Sequence, residues 1–168
     1  MTTAQLTDAG LRHVARAVDL AAEALDAGDE PFGSVLVNAE GEALREARNR
    51  VRSTGDETQH PEFELARWAA EHLAPRERSL CVVYTSGEHC PMCAAAHGWV
   101  GLGKIVYAHS SAELTQWLGE LGVAPSAVAP LDIRSVVPGL EVQGPVPAFT
   151  DRMRAMHGEL RTGAGHRP

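Results

Sequence analysis

Three residues of types that commonly bind zinc stand at the predicted starts of two helices. His60 precedes a helix that opens with a proline, and Cys90 and Cys93 form a Cys-Pro-Met-Cys run at the start of another. A Cys-x-x-Cys pair at a helix N-terminus can bind one metal ion, because the helix dipole favours both thiolates. Adding His60 gives three protein ligands, the number found in catalytic zinc sites that keep a fourth position for water.

Glu62 follows His60 by two residues and has the chemistry of a proton shuttle. This spacing keeps its carboxylate off the same metal but brings it beside a metal-bound water. Zinc lowers the pKa of such a water, and a neighbouring carboxylate can accept and return the proton. The four residues together therefore predict a site that generates hydroxide for a hydrolytic reaction.

Two other interpretations of the cysteine pair are open. A redox-active pair would follow the first strand of a thioredoxin-like unit, and it would give His60 and Glu62 no role. A structural zinc site normally takes a fourth protein ligand. The nearby candidates are His89, which directly precedes Cys90, and Cys81, which lies inside an apolar run typical of a buried strand. A catalytic zinc site accounts for more of these residues than either alternative.

Hydrophobic periodicity predicts the elements that must position the site. In chain order they are a helix over 6–27, a hairpin with strands over 31–38 and 42–50, a loop over 52–59, a helix over 61–73, a strand over 80–85, a helix over 90–100, a strand over 104–108, a helix over 111–121, a strand over 131–137 and a helix over 147–160. Helices and strands that alternate in this way indicate an α/β sandwich with helices on both faces of one sheet.

Length and composition restrict the class of protein. A chain of 168 residues predicts one domain over 1–168. Its apolar runs are shorter than a membrane span, and Met1–Gly10 lacks the pattern of a signal peptide, so we expect a cytoplasmic protein without membrane association. The net charge of −7 gives no global attraction to nucleic acid, which makes a small molecule the expected partner.

The motifs resemble those of a known superfamily. His60-Pro61-Glu62 followed by Pro91 within the Cys90–Cys93 run resembles the His-x-Glu…Pro-Cys-x-x-Cys signature of the cytidine deaminase-like zinc deaminases. The likeness covers residues 10–110 and includes the segments 31–33, 49–50, 56–60 and 104–107. It implies a three-layer α-β-α fold with a mixed five-stranded sheet, a Zn²⁺ cofactor and Glu62 as the catalytic residue.

Within the superfamily, Thr85–Cys93 and Trp99 resemble the bacterial guanine deaminases and related nucleoside deaminases. This branch implies hydrolytic deamination of a purine such as guanine, with release of ammonia. It also implies a homodimer in which the segment from about residue 144 packs on the partner subunit. Cytosine or cytidine and a transfer RNA adenosine remain alternative substrates. A non-catalytic zinc-binding module is the remaining alternative, although it would give Glu62 no role.

The resemblance also implies substrate-binding residues. Asn49 would read the edge of the base through its side-chain amide, and Phe32 and Trp99 would either line a pocket for a planar ring or pack in the core. Glu88 would lie near the metal loop or be a solvated charge. His89 stands where the family has a proline, so it either faces the substrate or lies in solvent.

Overall fold

A computed structural model describes residues 6–163 of the chain. Its elements are α1 (Asp8–Asp26), β1 (Gly33–Val37), β2 (Ala43–Arg48), α2 (Val51–Thr54), α3 (Pro61–His72), α4 (Pro75–Leu80), β3 (Val82–Gly87), α5 (Pro91–Val100), β4 (Ile105–His109), α6 (Ser111–Glu120), α7 (Ile133–Val136), β5 (Val142–Gln143) and α8 (Thr150–Thr162), with a 3₁₀ turn at Pro147–Phe149. Part of the segment expected to lack a signal peptide, residues 1–5, lies outside the described residues.

The five strands form one sheet in the order β2-β1-β3-β4-β5. β1 runs antiparallel to both β2 and β3, whereas β3, β4 and β5 are parallel to one another. Helices α1 and α8 cover one face, and α3 and α5 cover the other. This arrangement confirms the predicted α/β class and the mixed five-stranded sheet.

Side-chain alternation along the strands assigns residues to the two faces. Leu36 and Ile105 pack with Leu65 of α3 on one face, whereas Val106 packs with Val14 of α1 on the other. Both β1 and β4 are buried along their whole length, as expected for strands in the middle of a sheet that is covered on both sides.

Three local predictions are wrong. The predicted strand over 131–137 contains the short helix α7, because the Asp132 side chain accepts a hydrogen bond from the Ser135 N–H and caps a helical turn. The last strand is β5, farther along the chain. The predicted loop over 52–59 overlaps the helical turn α2, and the unpredicted helix α4 occupies most of the gap between α3 and β3.

The C-terminal segment packs on its own chain, and its packing on a partner subunit stays a prediction. Met153 and Met156 of α8 are buried together with Val14 of α1 and Trp117 of α6. Ion pairs on the surface connect the same helix to α1, to α6 and to the loop before β1.

Among residues 6–163, no helix is long and apolar enough to cross a membrane.

Helix α1 makes a close backbone approach to the start of β1 at Gly33. A Cβ atom added there would lie 2.5 Å from the Ala17 carbonyl oxygen and 2.7 Å from the Ala21 nitrogen. Both neighbours are backbone atoms in the middle of a helix, so neither can move aside without moving α1. The next residue, Ser34, contacts the candidate site described below, so this close backbone contact lies directly beside the site.

We expect Gly33→Ala to lower the free energy of unfolding by about 1–3 kcal/mol, because the added methyl group overpacks a closed contact. Gly158→Ala is the control, since an added Cβ there meets no atom within 4 Å and alanine favours the helical backbone of α8. Urea unfolding of both variants measures the difference. Equal midpoints for the two variants would contradict the proposed contact.

Candidate active site and metal centre

The three candidate metal ligands meet where the N-termini of α3 and α5 lie side by side. His60 and Cys90 are the residues that directly precede the two helices, and Cys93 lies in the first turn of α5. Each helix has a proline at its first position, where the missing N–H would have no partner within the helix. The sequence therefore begins both helices at the positions that bring the ligands together.

The geometry of the three donors fits zinc. His60 Nδ1 lies 3.6 Å from Cys90 Sγ and 3.5 Å from Cys93 Sγ, and all three donor atoms lie within 4.8 Å of one another. A tetrahedral zinc ion with ordinary Zn–N and Zn–S bonds separates such donors by roughly 3.6 Å. The Cys93 side chain is buried, whereas His60 and Cys90 are half-buried, which leaves one side of the cluster accessible.

Electrostatic interactions within the cluster favour a thiolate. Hydrogen bonds from Cys93 and His60 lower the pKa of Cys90 to about 4. The hydrogen bond with Cys90 raises the pKa of His60 in turn. Thiolate sulfur and imidazole nitrogen are the donors that zinc prefers, so His60, Cys90 and Cys93 could hold the ion with one position left for water.

Glu62 is buried beside the cluster in the first turn of α3. Its Oε1 atom accepts hydrogen bonds from Thr85 Oγ1 at 2.9 Å and from Ser34 Oγ at 3.2 Å. Its Oε2 atom faces Cys93 Sγ at 3.7 Å. Burial raises the pKa of this carboxyl group. One oxygen is thus fixed to the sheet, and the other points toward the metal ligands.

The sequence analysis missed Ser34 and Thr85, the two residues that hold Glu62. They are opposite each other in the ladder between β1 and β3, and the Ser34 hydroxyl also donates to Thr85 Oγ1 at 2.9 Å. The signal was present, because each is a hydroxyl residue inside a buried strand, on the face that α3 covers. Their partner could not be identified until the register of the two strands was known.

Asn49 and Phe32 lie together at the same end of the sheet. The Asn49 N–H donates to the Phe32 carbonyl at 2.9 Å, and Asn49 Oδ1 accepts from the Val51 N–H at 3.0 Å. The Asn49 side chain is buried, and its Nδ2 has no partner among residues 6–163. Phe32 is half-buried. The amide group of Asn49 therefore keeps a hydrogen-bond donor that the fold does not use.

Glu88 has a structural partner for each carboxylate oxygen. Oε2 accepts from the Ser111 N–H at 2.9 Å and Oε1 accepts from the Ile133 N–H at 3.1 Å. The side chain connects the loop before Cys90 to the starts of α6 and α7. It is neither a solvated charge nor a group free to bind a base, and the expected role in substrate binding is corrected accordingly.

Trp99 is not at the site of its own chain. Its side chain is 91% exposed, on the side of α5 roughly opposite the buried Cys93 and His97. Neither of the expected alternatives, a pocket wall or a core residue, describes it. The periodicity of α5 alone places it there, six residues after Cys93, so this error was avoidable from the sequence.

His89 is buried and not solvated. Only 1% of the residue is exposed, and its ring contacts His97 edge to face with the centroids 5.4 Å apart. Neither ring nitrogen has a hydrogen-bond partner within the described part of the chain. Burial lowers the pKa of His89 well below its usual value, so the ring is neutral.

Comparison with known proteins identifies relatives of this chain. Residues 9–109 match the family described as the cytidine and deoxycytidylate deaminase zinc-binding region. A probable cytosine deaminase of Schizosaccharomyces pombe is 30% identical over 125 residues, which is 74% of this chain and 75% of the relative. A guanine deaminase of Bacillus subtilis is 39% identical over 94 residues, or 55% of this chain and 60% of the relative. A tRNA-specific adenosine deaminase of Agrobacterium fabrum is 34% identical over 88 residues, or 51% and 57% of the two chains.

Solved structures share the fold over nearly the whole chain. The guanine deaminase from Bacillus subtilis superposes with a TM-score of 0.58 at 25% identity, covering 91% of this chain and 95% of the other. A structure of a protein named NE0047 in complex with 8-azaguanine superposes with a TM-score of 0.71 at 19% identity, covering 92% and 85%. The family match spans more than half of this chain and includes His60, Cys90 and Cys93. The chain therefore belongs to the cytidine and deoxycytidylate deaminase family and is a zinc-dependent hydrolytic deaminase.

Proposed function

We propose that this enzyme deaminates a small purine base such as guanine and releases ammonia. The observation that carries the chemistry is the position of Glu62, with one oxygen fixed by Ser34 and Thr85 and the other beside the three metal ligands. The carboxylate interacts with the sheet and with the start of α3, but its burial still costs free energy, as the raised pKa shows. Its placement is explained by proton transfer.

His60, Cys90 and Cys93 would hold the zinc ion. When bound, zinc would supply the Lewis acidity that lowers the pKa of a water molecule at its open position. Two neighbouring cysteines that are free and not joined in a disulfide are typical of a reducing compartment, which supports a location in the cytoplasm.

Glu62 Oε2 moves the protons of the reaction. It accepts a proton from water as the oxygen forms a bond to the ring carbon, and it passes that proton to the neighbouring ring nitrogen. It then protonates the exocyclic nitrogen from the second water proton, the C–N bond breaks, and ammonia leaves. Oε1 keeps its hydrogen bonds to the sheet throughout, so the carboxylate does not have to reorient between the steps.

The free amide donor of Asn49 favours a substrate base that has a hydrogen-bond acceptor on its edge. Its unused Nδ2 donor lies next to Phe32, whose half-exposed ring can contact a planar ligand. The 39% identity to a guanine deaminase favours a purine. The longer match, to a probable cytosine deaminase, makes cytosine the second candidate. The net charge of −7 disfavours transfer RNA, because its phosphates attract basic surfaces.

We also propose that the enzyme is a homodimer that buries the outward faces of α3 and α5. Trp99 is exposed on α5, and large exposed aromatic residues are typical of interfaces. Arg67 and Glu71 are exposed one turn apart on α3, and neither has an ion-pair partner among the described residues. Across a two-fold axis each Arg67 would meet the partner's Glu71. A monomeric mass in sedimentation at micromolar concentration would contradict this proposal.

Cys90→Ala should lose both the metal and the activity, since two protein ligands do not retain zinc against a chelator. The wild-type protein is expected to carry about one zinc per chain by elemental analysis. Cys81→Ala is the matched control, because Cys81 is a buried cysteine that lies outside the cluster. Metal-free protein that still released ammonia would refute the assignment of the ligands.

Glu62→Gln should keep the zinc and the fold and lower the deamination rate by at least about 10²–10⁴-fold, the usual contribution of a positioned acid–base group. Glu64→Gln controls for the loss of charge in the first turn of α3, where Glu64 forms an exposed ion pair with Arg45. Ammonia release and zinc content are measured on the same samples. Wild-type rates in Glu62→Gln would mean that a different group moves the proton.

A screen of ammonia release over guanine, adenine, cytosine, cytidine, guanosine and transfer RNA tests the substrate. We expect guanine to react and transfer RNA not to. Asn49→Asp keeps the acceptor for the Val51 N–H but replaces the amide donor by an acceptor. The binding free energy of the preferred base should weaken by about 1–3 kcal/mol, which raises its KM. A preference for cytosine over every purine would overturn the substrate and leave the mechanism intact.

A further inference from the structure

A cluster of four rings lies at the end of the sheet next to the site. It comprises Phe32, His109 at the end of β4, Trp117 of α6 and His157 of α8. The centroids of His109 and His157 are 5.1 Å apart, Phe32 lies 5.1 Å from His157, and Trp117 lies 5.3 Å from His109. The two histidines are only 1% and 3% exposed. We call these four residues the ring cluster.

Each histidine of the ring cluster has a ring nitrogen without a hydrogen bond. Within residues 6–163, His109 Nδ1 and His157 Nε2 are buried and have no partner. The other side of the His109 ring donates a hydrogen bond to the Ser86 carbonyl, which makes Nδ1 an acceptor. Native proteins pair the great majority of their buried polar atoms, so two unpaired nitrogens in one cluster need an explanation.

Burial keeps both imidazoles neutral. It lowers the pKa of His109 to about 4, and it lowers the pKa of His157 well below the usual value. A neutral imidazole can accept a hydrogen bond through one nitrogen, whereas a charged one can only donate. The cluster thus offers at least one acceptor that is shielded from water.

Strand register puts His109 on the face of the sheet that carries Thr85, and His157 of α8 contacts the His109 and Phe32 rings at the end of the sheet. Gly87 is aligned with His109 in the parallel ladder, and a Cβ added at Gly87 would lie 2.9 Å from both the His109 and the Phe32 rings. Thr85, which holds Glu62, is two residues earlier on the same face, about 6.6 Å along the strand. This separation is comparable with the length of a fused bicyclic base.

Phe32 joins the ring cluster to the residues proposed to bind the base. Its carbonyl accepts from Asn49, and its ring packs against His157 edge to face. A purine whose reacting carbon faces Glu62 would extend its five-membered ring toward Phe32. That ring carries one N–H in the free base, and a nucleoside has a sugar in its place.

We propose that His109 and His157 form a polar subsite that accepts a hydrogen bond from the five-membered ring of a free purine base, and so select the base over its nucleoside. This inference rests on the proposed function, because it assumes a purine substrate with its reacting carbon at Glu62. It makes both histidines specificity-determining residues that no motif of the chain identified. It also gives one of the two buried ring nitrogens a donor.

The test compares guanine, 9-methylguanine and guanosine as substrates of the wild-type enzyme and of His109→Phe, His157→Phe and His157→Gln. The phenylalanine variants keep a ring and remove the nitrogens, and the glutamine variant keeps a hydrogen-bonding group. We expect the wild type to prefer guanine over 9-methylguanine in kcat/KM by at least about tenfold. The phenylalanine variants should lose most of that preference through KM with little change in kcat, and His157→Gln should retain part of it.

Two results would overturn the subsite. The first is an equal kcat/KM of the wild type for guanine and 9-methylguanine, which requires no variant to fold. The second is an unchanged preference in both phenylalanine variants, with zinc content and unfolding midpoints showing that they are intact. A wild-type enzyme that deaminates no purine instead contradicts the proposed function, so the two failures are distinguishable.

Discussion

The arrangement of the site depends on keeping a carboxylate inside the protein. A buried carboxylate is stable only if it has hydrogen-bond partners, and two hydroxyl groups on adjacent antiparallel strands provide them for Oε1 of Glu62. Those hydroxyls are opposite each other only in one register of β1 and β3. Helix α1 makes its closed contact with β1 at Gly33, the residue next to Ser34. A series of short-range contacts therefore connects the first helix to Glu62.

The metal ligands were accessible to sequence reasoning because their geometry is local. Cys90 and Cys93 lie on one helical turn, and His60 and Glu62 stand at a helix start marked by a proline. Such features need only spacing and helix geometry. The α/β sandwich was predicted for a related reason, since alternating helix and strand patterns leave few ways to cover apolar faces. The mixed order of its five strands was instead implied by the family resemblance.

The residues that sequence reasoning missed or misassigned depend on contacts distant in the chain. Ser34 and Thr85 are 51 residues apart and meet only through strand pairing. The carboxylate of Glu88 accepts hydrogen bonds from two backbone N–H groups, one of them 45 residues away. The error at 131–137 has a different origin, because one aspartate cap outweighed the strand preference of the β-branched residues around it. The family resemblance suggested a pocket or core position for Trp99, whereas the periodicity of α5 puts its side chain on the exposed side of the helix.

The hydrogen bonds of Glu88 have a consequence for how this enzyme can diverge. Both of its donors are backbone N–H groups, at Ser111 and Ile133, and almost any residue supplies one. The loop before Cys90 is therefore supported by the backbone positions of Ser111 and Ile133 and not by their side chains. The family match ends at residue 109, just before the first of these donors. Substitution of the Ser111 or Ile133 side chain beyond that point therefore leaves both backbone donors to Glu88 in place.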